Sequence, residues 1–140
     1  MENMDYELVD LIDIEELKKL TDNWTKLINL PMGIFDPYGN ALVASGWHSV
    51  CADFHRINLI TRERCRHTDQ EMFNRLKAGK EFSFFKCPNG LVDTGTAIIV
   101  EGKYLGGLGF GQFFLEPPDM DFFSRQADEF GFDKEKYLQA

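Results

Sequence analysis

Between Cys87 and Phe114 the chain reads CPNGLVDTGTAIIVEGKYLGGLGFGQFF, and few folds accommodate such a run. Val92 to Val100 is rich in Val, Thr and Ile, Glu101-Gly102 supplies a reversal, and Lys103 to Phe114 returns, which predicts a β-hairpin. Strand alternation puts Val92, Thr94, Thr96, Ile98 and Val100 on one face and Asp93, Gly95 and Ala97 on the other. In the return strand Gly107, Gly109 and Gly111 share a face, opposite Leu108, Phe110, Gln112 and Phe114. Glycine inside an element costs roughly 0.5 to 1 kcal/mol relative to alanine, so Gly106, Gly107, Gly109 and Gly111 together cost about 2 to 4 kcal/mol. Strands carry that cost where something approaches closely. Two readings follow: a helix packed tightly across the sheet, or a cavity hollowed by small residues, with Asp93 and Gln112 as its polar contacts. Spacing alone does not separate them.

The rest of the composition narrows the class. A chain of 140 residues with 44% hydrophobic content and thirteen Phe is one domain able to bury its own core. A net charge of −8 disfavours direct nucleic-acid binding. No apolar run approaches the roughly 18 to 20 residues of a membrane span and no signal-peptide pattern opens the chain, so a cytoplasmic, membrane-free protein is expected. Charge is uneven. Residues 1–16 hold seven acids and no base, whereas residues 55–80 hold seven bases against three acids. The basic block reads as a solvated helix face or, less simply, an anion site.

Taken in order, residues 1–12 form an acidic lead-in and residues 13–140 the domain proper. Asp13 caps a helix to about Ile28, with Glu16 at N3 and Leu17, Leu20, Trp24, Leu27 and Ile28 on one stripe. If that stripe were left partly exposed, a homodimer would follow. Met32–Phe35 and Ala41–Ser45 flank an Asp36-Pro37-Tyr38-Gly39 turn. Residues 50–77 are expected to be helical throughout, with Val50, Phe54, Ile57 and Ile60 as one stripe and Cys65, Met72, Phe73 and Leu76 inward. Phe82–Phe85 is a further strand, and Asp119 and Asp133 cap two closing helices. The last segment stops abruptly at Ala140, as a piece excised from a longer signalling protein would. The pattern predicts an α+β fold of the PAS or GAF type.

Three cysteines, Cys51, Cys65 and Cys87, are separated by fourteen and twenty-two residues, far from the close pairs of most metal sites. They are either inert buried thiols or, with His48, His55 or His67, ligands of a metal ion or an iron–sulfur cluster. A thiol enzyme built from Cys87, His55 and Asp93 is a third reading, without a local signature. GGLGFGQ precedes no helix, so a dinucleotide site is not supported.

The order of Cys51, Cys65 with Asp69, Cys87-Pro88-Asn89-Gly90-Leu91-Val92-Asp93, Leu105-Gly106-Gly107 and Gly111-Gln112 resembles the PocR-type sensory domain. Val9-Asp10-Leu11, the Ile34-to-Gly39 hairpin and Glu116-Pro117-Pro118 extend the resemblance over about residues 8–140. It implies a PAS-like antiparallel sheet of about five strands, with helices packed on one face, that binds a small molecule such as a short hydrocarbon derivative. It also implies an output module, C-terminal to this segment, of a histidine kinase or transcription regulator, and no catalysis in the segment itself. The ligand site is then expected at Trp47, Cys51, His55, Cys65, Cys87, Asp93, Gly107, Gly109 and Gln112. Two positions depart from the family pattern. Pro88 stands where a His often follows the third cysteine, and Ala97 where a Pro usually precedes the Ile. The bound species here need not be the family's usual one.

Overall fold

A computed structural model describes residues 5–140. A short helix α1 (Leu8–Leu11) and a longer α2 (Ile14–Ile28) precede a hairpin of β1 (Met32–Phe35) and β2 (Ala41–Ser45). A π-helical turn (Val50–His55) leads into α3 (Leu59–Lys77). Then come β3 (Phe82–Lys86), β4 (Val92–Val100), β5 (Lys103–Phe113), α4 (Met120–Phe130) and α5 (Lys134–Gln139). The five strands form one open antiparallel sheet in the order β2-β1-β5-β4-β3, the α+β, PAS-like arrangement expected. Asp13, Asn58, Asp119 and Asp133 each cap a helix by accepting backbone N–H bonds at its first turn.

Register determines what each face carries. The row Ala44–Gly33–Gly109–Gly95–Ser83 crosses all five strands with nothing larger than a hydroxymethyl group. α3 lies across this trough. Met72 Sδ would meet a Cβ on Gly95 at 3.1 Å, the Phe35 ring covers Gly33 and Gly109, and the Phe73 ring occupies the space a Cβ on Gly107 would need. Phe35, Met72, Phe73 and Leu76 form the core here, with the Phe35 and Phe73 rings tilted against each other at 4.8 Å. The glycines at 95, 107 and 109 therefore admit packed side chains of this chain. Gly106 is different: its φ of 143° and the Phe35 carbonyl against its Cα leave no room for a side chain.

The opposite face carries the rows Ser45–Met32–Phe110–Thr94–Phe84 and Val43–Ile34–Leu108–Thr96–Phe82. Here α1 and α2 pack, so helices lie on both faces of the sheet. Thr21 Oγ1 lies 2.8 Å from Ser45 Oγ, and Ile14 and Leu17 join the cluster around Leu8, Ile34, Val43 and Leu105. Leu8, which the sequence reading put in a lead-in, is part of that core.

Two further expectations change. The buried face of α2 is carried by Thr21 and Thr25, and Leu20, Trp24 and Leu27 are 65%, 49% and 82% exposed. Gly46, at the end of β2, packs against Thr25, and a Cβ there would sit 2.9 Å from Thr25 Cβ. Residues 50–77 are not one helix. Arg56 N–H bonds Cys51 O at 2.9 Å, closing the π-turn, and Asn58 restarts the chain as α3, so Ile57 and Ile60 face solvent.

Candidate functional site

Where the π-turn, α3 and the glycine-rich strands meet, the trough is not completely filled. A chamber of about 30 Å³ remains, room for about two waters. Met72 and Phe35 supply apolar wall, and Trp47, Arg56, Asp69, Asp93 and Gln112 supply polar or aromatic contacts. Each of these is positioned by local backbone chemistry. Trp47 is fixed through its Nε1–H, which donates to Met32 O at 3.0 Å. The Arg56 guanidinium stacks on the Trp47 ring at 4.5 Å and donates from Nη2 to Asp69 Oδ2 at 3.0 Å. Its Nε has no partner among the described residues.

Gln112 arrives by an irregularity in register. Val92 pairs with Phe113 but Asp93 with Gly111, which leaves Gln112 as an inserted residue with φ 62°. The bulge turns Gln112 away from the face that strict alternation assigns it. Its Oε1 accepts from His48 N–H at 2.6 Å, and its own N–H donates to Asp93 Oδ1 at 3.1 Å. Gly111 is required because the Asp93 carboxylate occupies the position a Cβ there would take.

The electrostatics are those of a mostly buried site. Burial, reinforced by the Asp69 charge, pushes the Asp93 carboxyl up to about 6, against the Gln112 N–H and Arg56. Burial also raises Asp69, and the Arg56 pair opposes that rise. Two carboxylates thus share one guanidinium, and an anionic guest would meet repulsion as well as attraction.

The expected site residues fall into three groups. Trp47, Asp93, Gly109 and Gln112 line the chamber; Gly107 lies beside it, beneath Phe73. His55 does not line it. The His55 ring is fully buried, with Nε2 2.7 Å from Tyr137 Oη and 3.3 Å from Gln126 Nε2. Burial, with Arg56 and Arg64 nearby, pulls its pKa down to about 4. The three cysteines are buried behind the chamber. Cys51 and Cys87 join the cluster of Val50, Leu91, Phe123 and Tyr137, and Cys65 Sγ accepts from Asn89 Nδ2 at 3.2 Å.

Burial pushes all three thiols up, Cys65 to about 11, which keeps them protonated at neutral pH. Since His55 bonds Tyr137 and Gln126 instead, no thiolate–imidazole pair stands among the described residues. Among them, too, no group of three or more Cys, His, Asp or Glu side chains is arranged to hold a metal ion.

Arg56 and Asp69 are the residues that sequence reasoning missed as site residues. The basic block of residues 55–80 contained Arg56, and the motif contained Asp69, but nothing marked them as partners thirteen residues apart. Larger concavities exist: an apolar cleft of about 380 Å³ runs between the end of β5 and α4/α5, with Gln112 at its boundary. It lacks the converging buried charges of the chamber.

Against known families, residues 10–140 match the sensory domain found in PocR. The chain belongs to the PocR sensory family. No curated protein matches it. As a PocR domain it is a sensory domain serving signal transduction. No helix among the described residues is long and apolar enough to cross a membrane.

Proposed function

We propose that this PocR domain senses a small, uncharged, hydroxyl-bearing molecule in the chamber between α3 and the glycine trough, and passes its arrival to an output module joined C-terminal to α5. The observation that carries the reading is the unshared Nε–H of Arg56, buried without a partner among the described residues in a chamber that Asp93 also lines. A guest hydroxyl can accept from Arg56 and donate to Asp93, while a short hydrocarbon part lies against Met72 and Phe35. The shared negative charge of Asp69 and Asp93 disfavours a carboxylate guest.

The chamber admits about two waters in the present arrangement, so the guest-bound state requires Phe35, Met72 or Trp47 to shift. A ligand then acts by preferring the opened state, and can move the balance only by its differential affinity. A histidine kinase or transcription regulator is the natural output, and the cytoplasm the natural compartment, for such a device.

Trp47 provides the readout. The chain has two tryptophans, and Trp24→Phe isolates Trp47. Titrating that variant with two- to four-carbon diols, and with carboxylic acids of the same length, should change Trp47 emission for a diol and leave it unchanged for the acids. Asp93→Asn should weaken the response at least tenfold. A response to acids alone, or one indifferent to Asp93→Asn, would refute the assignment.

A further inference from the structure

We infer that the face of the sheet opposite α3 is a homodimer interface, in which α2 of each copy covers the open strands of the other. The two outer rows begin under α2, at Ser45 and Val43, and end uncovered at Phe84 and Phe82, which are 47% and 68% exposed. None of the ten residues in these rows is charged. On the helix beside them, Leu20, Trp24 and Leu27 form a second uncovered strip. On α2, Lys18 pairs with Asp22 and Lys19 with Glu16, and Lys26, next to Leu27, makes no ion pair among the described residues.

One protomer therefore offers both a protruding apolar helix strip and a flat apolar sheet surface. A two-fold axis brings each strip over the other copy's open rows, an isologous arrangement that uses both halves at once. The area is adequate. With roughly 150 to 250 Å² per large side chain, these five residues leave on the order of 600 Å² of apolar surface. That stands at the top of what a monomer usually exposes, about 300 to 600 Å², and approaches the roughly 800 Å² that each partner of a stable complex buries. Half-buried Leu108 and Phe110 lie in the same rows and add to it. A copy carrying a net charge of −8 is repelled by its twin, and this uncharged face is where that repulsion obstructs contact least.

Sedimentation velocity on the 140-residue protein should find a dimer whose dissociation constant rises at least tenfold with Leu27→Glu and, separately, with Phe84→Glu. Both positions are exposed, and far-ultraviolet circular dichroism should be unchanged in each variant. All three native cysteines are buried, so single Leu27→Cys and Phe84→Cys variants, mixed and oxidised, should form the mixed disulfide-linked dimer. A monomer at 100-micromolar concentration (about the range where weak dimers form) overturns the inference. So does a dimer sensitive to Phe84→Glu but not Leu27→Glu, which would be strand-edge pairing through β3. Association only with an added partner protein overturns it as well.

Discussion

At Gly107 the cost of a single methyl can be argued directly. The Phe73 ring fills the space that a Cβ would take, and that ring is 3% exposed, wedged between α3 and the sheet. Gly107→Ala should therefore destabilise the domain by about 1 to 3 kcal/mol, the usual range for overpacking. Gly109→Ala should cost less, because the tightest contact of its Cβ would be Phe35 Cε2, at 3.2 Å. Urea unfolding checks both, and Phe73→Leu should recover part of the Gly107→Ala loss if the ring is the cause. This is also where the sequence was most and least informative. The glycine spacing announced a close approach to the sheet, but the same spacing fits a guest molecule or a neighbouring phenylalanine. Only the register, which aligns Gly33, Gly109 and Gly95 across three strands, distinguishes trough from cavity. Gln112 was assigned to the wrong face for a related reason: alternation holds only until a bulge, and nothing in Gly-Gln-Phe marks one.

Among the elements, the π-turn Val50–His55 has the largest consequence. Its last residue, His55, points to Tyr137 and Gln126 on the terminal helices, while the next, Arg56, points into the chamber. One peptide bond joins the cation that lines the chamber to the group that fastens α5. Asn89 extends the fastening, since its Nδ2 donates to Thr61 O at 2.9 Å and its carbonyl accepts from Gln126 Nε2 at 3.0 Å. Tyr137→Phe leaves His55 and Gln126 buried without that partner and should cost about 1 to 3 kcal/mol. If the turn couples site to terminus, hydrogen exchange in the variant should speed up in residues 50–55 as well as in α5. Acceleration confined to α5 would mean that the contact is merely local. The hairpins and the caps at Asp13, Asp119 and Asp133 were legible in advance because turn and cap chemistry is local. The break before α3 was missed because the apolar residues Ile57 and Ile60 suggested a continuing stripe, and the Asn58 cap was read past.

For the whole molecule, two buried groups oppose each other in acid. Asp93 is raised from an ordinary 3.8 to about 6, so between those values the folded chain holds a proton that the unfolded chain has lost, and stability falls as pH rises. His55 is lowered from 6.5 to about 4, so in nearly the same window the unfolded chain holds the extra proton, and stability rises with pH. The two slopes oppose each other in the parent protein, and the raised Asp69 adds to the fall. Asp93→Asn keeps an oxygen for the Gln112 N–H and removes only the falling contribution. The variant should therefore gain on the parent by about 3 kcal/mol between about pH 3 and pH 7, taking about 1.4 kcal/mol per unit of displacement. Urea unfolding of both proteins across that range measures the difference directly, with the exposed carboxylates common to both dropping out. A constant difference would mean that Asp93 is solvated in the folded protein. The chamber would then be open to water, and the strong hydrogen bonding to a neutral guest that a buried site allows would be lost with it.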